Sequence, residues 1–241
     1  MCTVILLRGV VRGFPLVLAM NRDEFLDRPS AGPRLWPGSP PLVAPVDLRS
    51  GGTWCGLSAS GLLVAVTNRG PERDAGKRSR GSLVVDLLQG GRAEARKRLA
   101  AEGYAGQFNG FHALVADAAK AFLAEFDDAG LRLAEIDAPV TILTNGGPTP
   151  DIRQLLNEVD EKGTGTWPET EAWLAALLRR HDLPTCRHLD DRGTRSSIVF
   201  ALPGGGTLGG KLLFADGPPC TTPYVDQSVL VEALRGPKWT A

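Results

Sequence analysis

The sequence predicts an α+β fold in a single domain, residues 1–241. Three observations predict it. Apolar β-type runs come in neighbouring pairs joined by short glycine-containing turns, and two helical patterns follow one another between residues 80 and 102. No strict strand–helix–strand alternation runs along the chain. Strands in runs and helices in pairs pack as separate sheet and helix layers, not as a doubly wound parallel sheet. With 43% hydrophobic residues in 241, the chain can bury a substantial core.

Residues 2–7 (CTVILL) and 14–20 (FPLVLAM) read as a hairpin around GVVRG, which ties the chain start into a sheet. The second run ends at a polar tetrad, Asn21-Arg22-Asp23-Glu24. Residues 29–45 are rich in Pro, Gly and Ser and too long for a tight turn, so they predict a surface loop or flap of the kind that often covers a site. Residues 51–70 form two strands around Ala59-Ser60-Gly61 and end in a second polar tip, Thr67-Asn68-Arg69. The charged segment PERDAGKRSR reads as a solvated connection. Ser79 is placed to cap a helix whose Leu83, Val84, Leu87 and Leu88 share one face, and residues 92–102 form a second, more exposed helix. Strands follow at 110–118 and 120–127, in GLRLAEI, and at 139–147, the last with a third polar tip. Helices are expected near 150–158 and 168–180, then strands near 195–202 and 207–215 separated by a Gly-rich turn. The segment DQSVLVEAL fits helix or strand equally.

Composition excludes several classes. Lys plus Arg equals Asp plus Glu at 27 each, so no overall field favours nucleic acid or an anionic membrane. No stretch approaches the ~18 apolar residues of a membrane-spanning helix, and Val4 to Leu7 is too short for a signal-peptide core. A soluble, cytoplasmic protein is expected. Cys2, Cys55, Cys186 and Cys220 show no CxxC spacing, so neither a metal nor a disulfide framework is expected. LPGGGTLGGK lacks the spaced GK[ST] of a phosphate loop and reads as a turn between strands.

Chemistry begins at the first two residues. Removal of Met1, favoured by the small residue behind it, would leave Cys2 with a free α-amine. One residue then carries a thiol nucleophile, reference pKa ~8.5, and a base of pKa ~7.7–8.0. No side-chain base is needed, and His112, His181 and His188 lie in no nucleophile motif, reading as packed or surface histidines. A second-position cysteine alone is more often just a strand residue near the chain end. Thr53 and Trp54 in GGTWCG fit either a pocket lining or a core, Ser196 either a substrate contact or a strand position, and Glu24 an ion pair with Arg22 or Arg28.

MCTVILL at the start, NRDEF at 21–25 followed by Arg28-Pro29, GGTWCG at 51–56, Thr67-Asn68, FNGFH at 108–112, LTNG at 143–146 and GTRSS at 193–197 together resemble the NRDE family. That family includes the transport and Golgi organisation 2 proteins of eukaryotes and many bacterial members, and the matches run in order to about residue 200. The family resembles the N-terminal nucleophile (Ntn) hydrolases, which implies a four-layer αββα sandwich, two antiparallel sheets between helical layers. Bile-salt and penicillin V amidases of that superfamily also begin Met-Cys-Thr. Their pattern of Asn-x-Asp, two further Asn and a late Arg is similar to Asn21-Arg22-Asp23, Asn68, Asn145 and Arg195 here. The resemblance implies that Cys2 is the nucleophile and that Asp23 orients its α-amine. Asn68 and Asn145 would hold the amine or donate to an oxyanion, and Arg195 would balance charge around the thiolate. Those amidases carry an Arg three residues before the Asp; this sequence has Met20 there and Arg22 beside Asp23. Strand alternation puts positions one and three away on the same face, so Arg22 can serve the side the displaced Arg reached.

Two functions follow from the resemblance: a cysteine Ntn amidohydrolase cleaving a C–N amide bond through a Cys2 thioester, or a non-catalytic heme or acyl-lipid binding and trafficking protein on the same fold. The corresponding partners are a small-molecule amide, an acyl-lipid or heme. No cofactor or metal is expected, and no CxxCH motif derives heme binding from the residues themselves.

Overall fold

The computed structural model describes residues 2–70, 74–146, 157, 165–183, 185–204 and 209–234. Its strands are β1 (Thr3–Val11), β2 (Phe14–Phe25), β3 (Ser30–Trp36), β4 (Leu42–Asp47), β5 (Cys55–Ser58), β6 (Leu63–Asn68), β7 (Phe111–Ala116), β8 (Ala121–Asp127), β9 (Gly130–Ile136), β10 (Val140–Thr144), β11 (Arg192–Leu202), β12 (Lys211–Ala215) and β13 (Val225–Asp226). The helices are α1 (Arg80–Leu88), α2 (Arg92–Ala100), α3 (Trp167–Leu178) and α4 (Ser228–Ala233). The strands form two antiparallel sheets, ordered β10-β1-β2-β11-β12-β13 and β3-β4-β5-β6-β7-β8-β9.

Residues 4–7 of β1 read as an unbroken apolar run because both faces of the strand are covered there. Val4 and Leu6 join Leu18, Met20, Ile198 and Phe200 in facing the second sheet's Val43, Leu57, Ala65 and Leu114. Ile5 and Leu7, with Val17, Ala19 and Val199, instead meet Leu174, Leu177 and Leu178 of α3. On the far side, Leu83, Val84, Leu87 and Leu88 of α1 and Leu99 of α2 cover Val64, Val66, Ala113 and Val115. The layers are therefore helix, sheet, sheet, helix, the expected αββα arrangement. Ser79 caps α1 by accepting from Gly81 N at 3.1 Å, and Glu169 returns to the Thr166 N–H at 2.8 Å to start α3.

Several expectations change. β2 does not stop before the tetrad but carries it: β1 pairs with it as far as Asn21, and β11 continues alone through Phe25. Residues 29–45 are not a flap: β3 and β4 pair with a register shift between Ala31 and Arg34. Pro33 falls in that irregular part of an edge strand, and Pro45 lies beyond the two β4 residues that pair with β5, so neither removes a needed ladder donor. DQSVLVEAL splits between β13 and α4. Apart from Asn157, the helix expected near 150–158 lies outside the described residues. Among the described residues no helix is long and apolar enough to cross a membrane.

Gly52 of GGTWCG presses on the first turn of α1. A Cβ there would lie 2.4 Å from the Gly81 carbonyl carbon, and the same approach lets Thr53 N donate to Gly81 O at 3.2 Å. Gly52→Ala should cost about 1–3 kcal/mol through this overpacking, measured by urea denaturation, whereas Gly106→Ala, at an exposed position where a Cβ meets nothing within 4 Å, should cost far less.

Candidate functional site

The pairing of β1 with β2 places Thr3 opposite Asn21, so Cys2 begins the chain's described course beside the tetrad. Side chains alternate across β2. Asn21 is buried toward α3 and donates through Nδ2 to Leu178 O at 2.9 Å and Thr185 O at 2.7 Å. It fastens the end of α3 to the sheet. Arg22 points the opposite way, into the layer between the sheets, where its guanidinium carbon lies 4.3 Å from the centroid of the Trp54 ring. The sheet parity expected for Arg22, the thiol's side, is the parity found, since Cys2 packs against that same inter-sheet core.

Arg22 is held by carboxylates. Its Nη2 donates to Asp47 Oδ2 at 2.9 Å and lies 3.9 Å from Glu24 Oε2; Arg28 joins through Nε to Asp47 Oδ2 at 2.7 Å and approaches Glu24 at 3.8 Å. Asp47 Oδ1 accepts from the backbone N–H groups of Arg49 and Ser50 at 3.0 and 3.1 Å. Burial alone would raise the Asp47 carboxyl, but Arg28, the Ser50 N–H and Arg22 outweigh it and hold it below the usual carboxylate range.

Around the terminus, Cys2 N donates to Asn145 Oδ1 at 2.9 Å, and the thiol lies 3.6 Å from Asp23 O. Burial, followed by the Asp23 charge, pushes the thiol up to about 11, against a smaller pull from the chain's α-ammonium and Arg22. Asp23 is itself raised by burial, opposed by the α-ammonium and by Thr194, whose Oγ1 donates to Asp23 Oδ1 at 2.7 Å. The same Thr194 oxygen accepts from Arg187 N at 3.0 Å.

These groups open onto a cleft of about 880 Å³ lined by Cys2, Arg22, Asp23, Glu24, Thr53, Trp54, Asn68 and Asn145 among others. Asn68 is exposed at the end of β6, while Thr53 is buried with its hydroxyl on Cys55 O at 2.8 Å. Arg195 sits at the β11 bulge between Thr194 and Ser196 and does not line the cleft. The cation reaching the cleft from that strand is Arg192, stacked 3.5 Å from the Phe25 ring centroid. Ser196 stands opposite Arg22 across the β2–β11 pair; its Oγ and Arg22 Nη1 are buried without a hydrogen bond among the described residues.

Sequence reasoning missed Asp47, Thr194 and Arg192, and it treated residues 71–80 as mere connection. Ala75, Lys77, Ser79 and Arg80 line the cleft, and Asn109 holds that loop through Asp74 N and O at 3.1 and 2.7 Å. The signal for Thr194 was present: GTRSS pairs it with Asp23 once β11 is set beside β2. The only His/Cys cluster among the described residues, His181, Cys186, His188 and Cys220, lies outside the cleft lining.

The family model described as Transport and Golgi organisation 2 matches residues 1–164. The transport and Golgi organisation protein 2 homologues of Bos taurus and Homo sapiens are 36% identical over 110 residues, covering 43% of this chain and 39% of those proteins. The match thus spans about two fifths of the length of those relatives. Among solved structures, penicillin V acylase from Agrobacterium tumefaciens has a TM-score of 0.57 at 15% identity, covering 95% of this chain and 86% of its own. A conjugated bile acid hydrolase variant from Clostridium perfringens scores 0.56 at 12% identity, with 93% and 92% covered. The Caenorhabditis elegans N-acylethanolamine-hydrolyzing acid amidase ortholog scores 0.59 at 12%, with 85% and 94% covered. All three share the Ntn-hydrolase fold with this chain.

The Asp47 cluster has a pH signature. Its folded carboxyl pKa is depressed below the unfolded ~3.9, so its contribution is full above about pH 4 and drains as pH falls through the folded value. Asp47→Ala should cost about 3 kcal/mol at neutral pH by stranding buried Arg22. Urea denaturation at a series of pH values should show the gap to wild type narrowing below about pH 4.

Proposed function

The chain belongs to the Transport and Golgi organisation 2 family, and on that premise we propose that it is a cysteine Ntn amidohydrolase cleaving a C–N amide bond through a thioester at Cys2. The observation that carries this reading is the Cys2 nitrogen held at 2.9 Å by Asn145 Oδ1, with the thiol on the same residue opening to the cleft. With Met1 attached, that nitrogen is an amide and the thiol, at about 11, is dormant at neutral pH. Removing Met1 makes the nitrogen an amine with a reference pKa of ~7.7–8.0 beside the nucleophile.

The chemistry then follows from positions. The amine takes the thiol proton as sulfur bonds to the amide carbon, and the oxyanion forms within reach of the cleft-facing Asn68 amide. Asn145 and Asp23 hold the protonated amine, which passes its proton to the leaving nitrogen as the C–N bond breaks. Water, deprotonated by the same amine, opens the thioester and restores the thiol. Thr194 keeps Asp23 turned to the terminus. Arg22, with Trp54 and Ser196 around it, takes the supporting role expected of Arg195, because Arg22 shares the thiol's face of the sheet.

Arg28, Arg49, Lys77, Arg80 and Arg192 outnumber Asp23, Glu24 and Asp47 along the cleft, which favours an amide carrying a carboxylate, such as an N-acyl amino acid. The names of the structural neighbours, an acylase, a hydrolase and an amidase, support acyl-bond cleavage.

Incubation with panels of neutral acyl amides and N-acyl amino acids should give turnover, higher on the acidic substrates and abolished in Cys2→Ala. Absence of turnover together with Cys2-independent binding of heme or acyl-CoA would instead support a carrier.

A further inference from the structure

Outside the cleft, His181, Cys186, His188 and Cys220 bring their ligating atoms within 4.8 Å of one another. His188 Nε2 lies 3.1 Å from Cys220 Sγ and 3.7 Å from Cys186 Sγ, and the two imidazoles meet edge to face at 5.0 Å between centroids. A tetrahedral zinc with Zn–S ~2.3 Å and Zn–N ~2.0–2.1 Å requires ligand–ligand separations of roughly 3.3–3.8 Å. Of the two His–Cys distances, 3.7 Å falls within that range and 3.1 Å just short of it, so small rotations of the exposed imidazoles close the set around an ion.

We propose that these four side chains form a structural zinc site joining the loop between α3 and β11 to the turn that follows β12. Two thiolates and two neutral imidazoles suit a borderline-soft divalent cation, and the thiolates cancel its charge, so the completed site buries no net charge. Binding releases the two thiol protons to solvent.

The backbone already holds the ligands in place. Cys186 N donates to Arg180 O at 3.0 Å, and Thr185 Oγ1 donates to Leu177 O and Arg180 O at 3.0 and 2.9 Å. His188 bridges Gly193, where a Cβ would come 2.7 Å from Arg187 O. Cys220 lies in a turn closed by the Thr221 and Thr222 N–H groups on Pro218 O at 3.1 and 2.8 Å. Three ligands, His181, Cys186 and His188, come from one short loop, and the fourth, Cys220, comes from a distant turn, so the two cysteines show no CxxC spacing and predict no metal. Zinc would also steady Thr194, and through it Asp23, because Arg187 N donates to the Thr194 hydroxyl.

The test uses the full chain, produced with zinc in the medium and without a histidine tag. Elemental analysis should find about one zinc per chain. His181→Ala and His188→Ala, at exposed positions, should each lower retention under a mild chelator at least tenfold, and Cys186→Ser/Cys220→Ser should abolish it. Cobalt exchange should give thiolate charge-transfer absorption and the intense visible bands of tetrahedral coordination. Cys2→Ser should keep the zinc, which separates this site from the cleft. A metal-free protein, a native Cys186–Cys220 disulfide, zinc unaffected by either histidine substitution, or zinc lost in Cys2→Ser would each overturn the proposal.

Discussion

The antiparallel pairing of β1 with β2, Thr3 against Asn21, is the constraint on which the rest depends. It brings the first described residues alongside a polar stretch that β11 keeps extended. Alternation then sends Asn21 to the helix layer and Arg22 to the layer between the sheets. A register slip of one residue would exchange them, burying the Arg22 charge against α3 and withdrawing the anchors of Leu178 and Thr185. The same pairing puts Cys2 where β10, on the other side of β1, delivers Asn145.

Burying Arg22 is costly, and the surroundings are arranged around that cost. Asp47 takes two guanidinium groups on one oxygen and two backbone donors on the other, so the carboxylate stays ionised and compensates the cation. Arg28 and Asp47 come from the two sides of the β2–β3–β4 path, so the cluster also welds the first sheet to the hairpin that opens the second. One unpaired Arg22 nitrogen and the Ser196 hydroxyl remain without hydrogen bonds among the described residues.

Much of this was legible in the residues. Paired apolar runs around Gly turns and the Leu83–Leu88 face foretold the layers, because burial on a sheet or helix face leaves a period in the sequence. Asn21, Arg22, Asp23 and Asn145 were legible as polar residues at the ends of apolar runs. Asp47 was not, because Pro33, Pro40 and Pro45 disguise β3 and β4 as a loop; Pro33 is tolerated in the irregular part of an edge strand, Pro40 lies between the strands, and Pro45 lies beyond the β4 residues that pair with β5. Arg192 and Thr194 were obscured by the bulge at Arg195, which shifts the parity of everything before it. His181, Cys186 and His188 stand close in sequence, but the cluster was hidden because only tertiary structure brings Cys220 to them.

The central claim is that the reactive centre is a freed amine and thiol on one residue. Intact mass of the purified protein tests it most directly. The account predicts a chain short by one methionine, beginning at Cys2, on most molecules. Met1 retained on most molecules would contradict it, because the Asn145 partner would then hold an amide nitrogen with no base to offer.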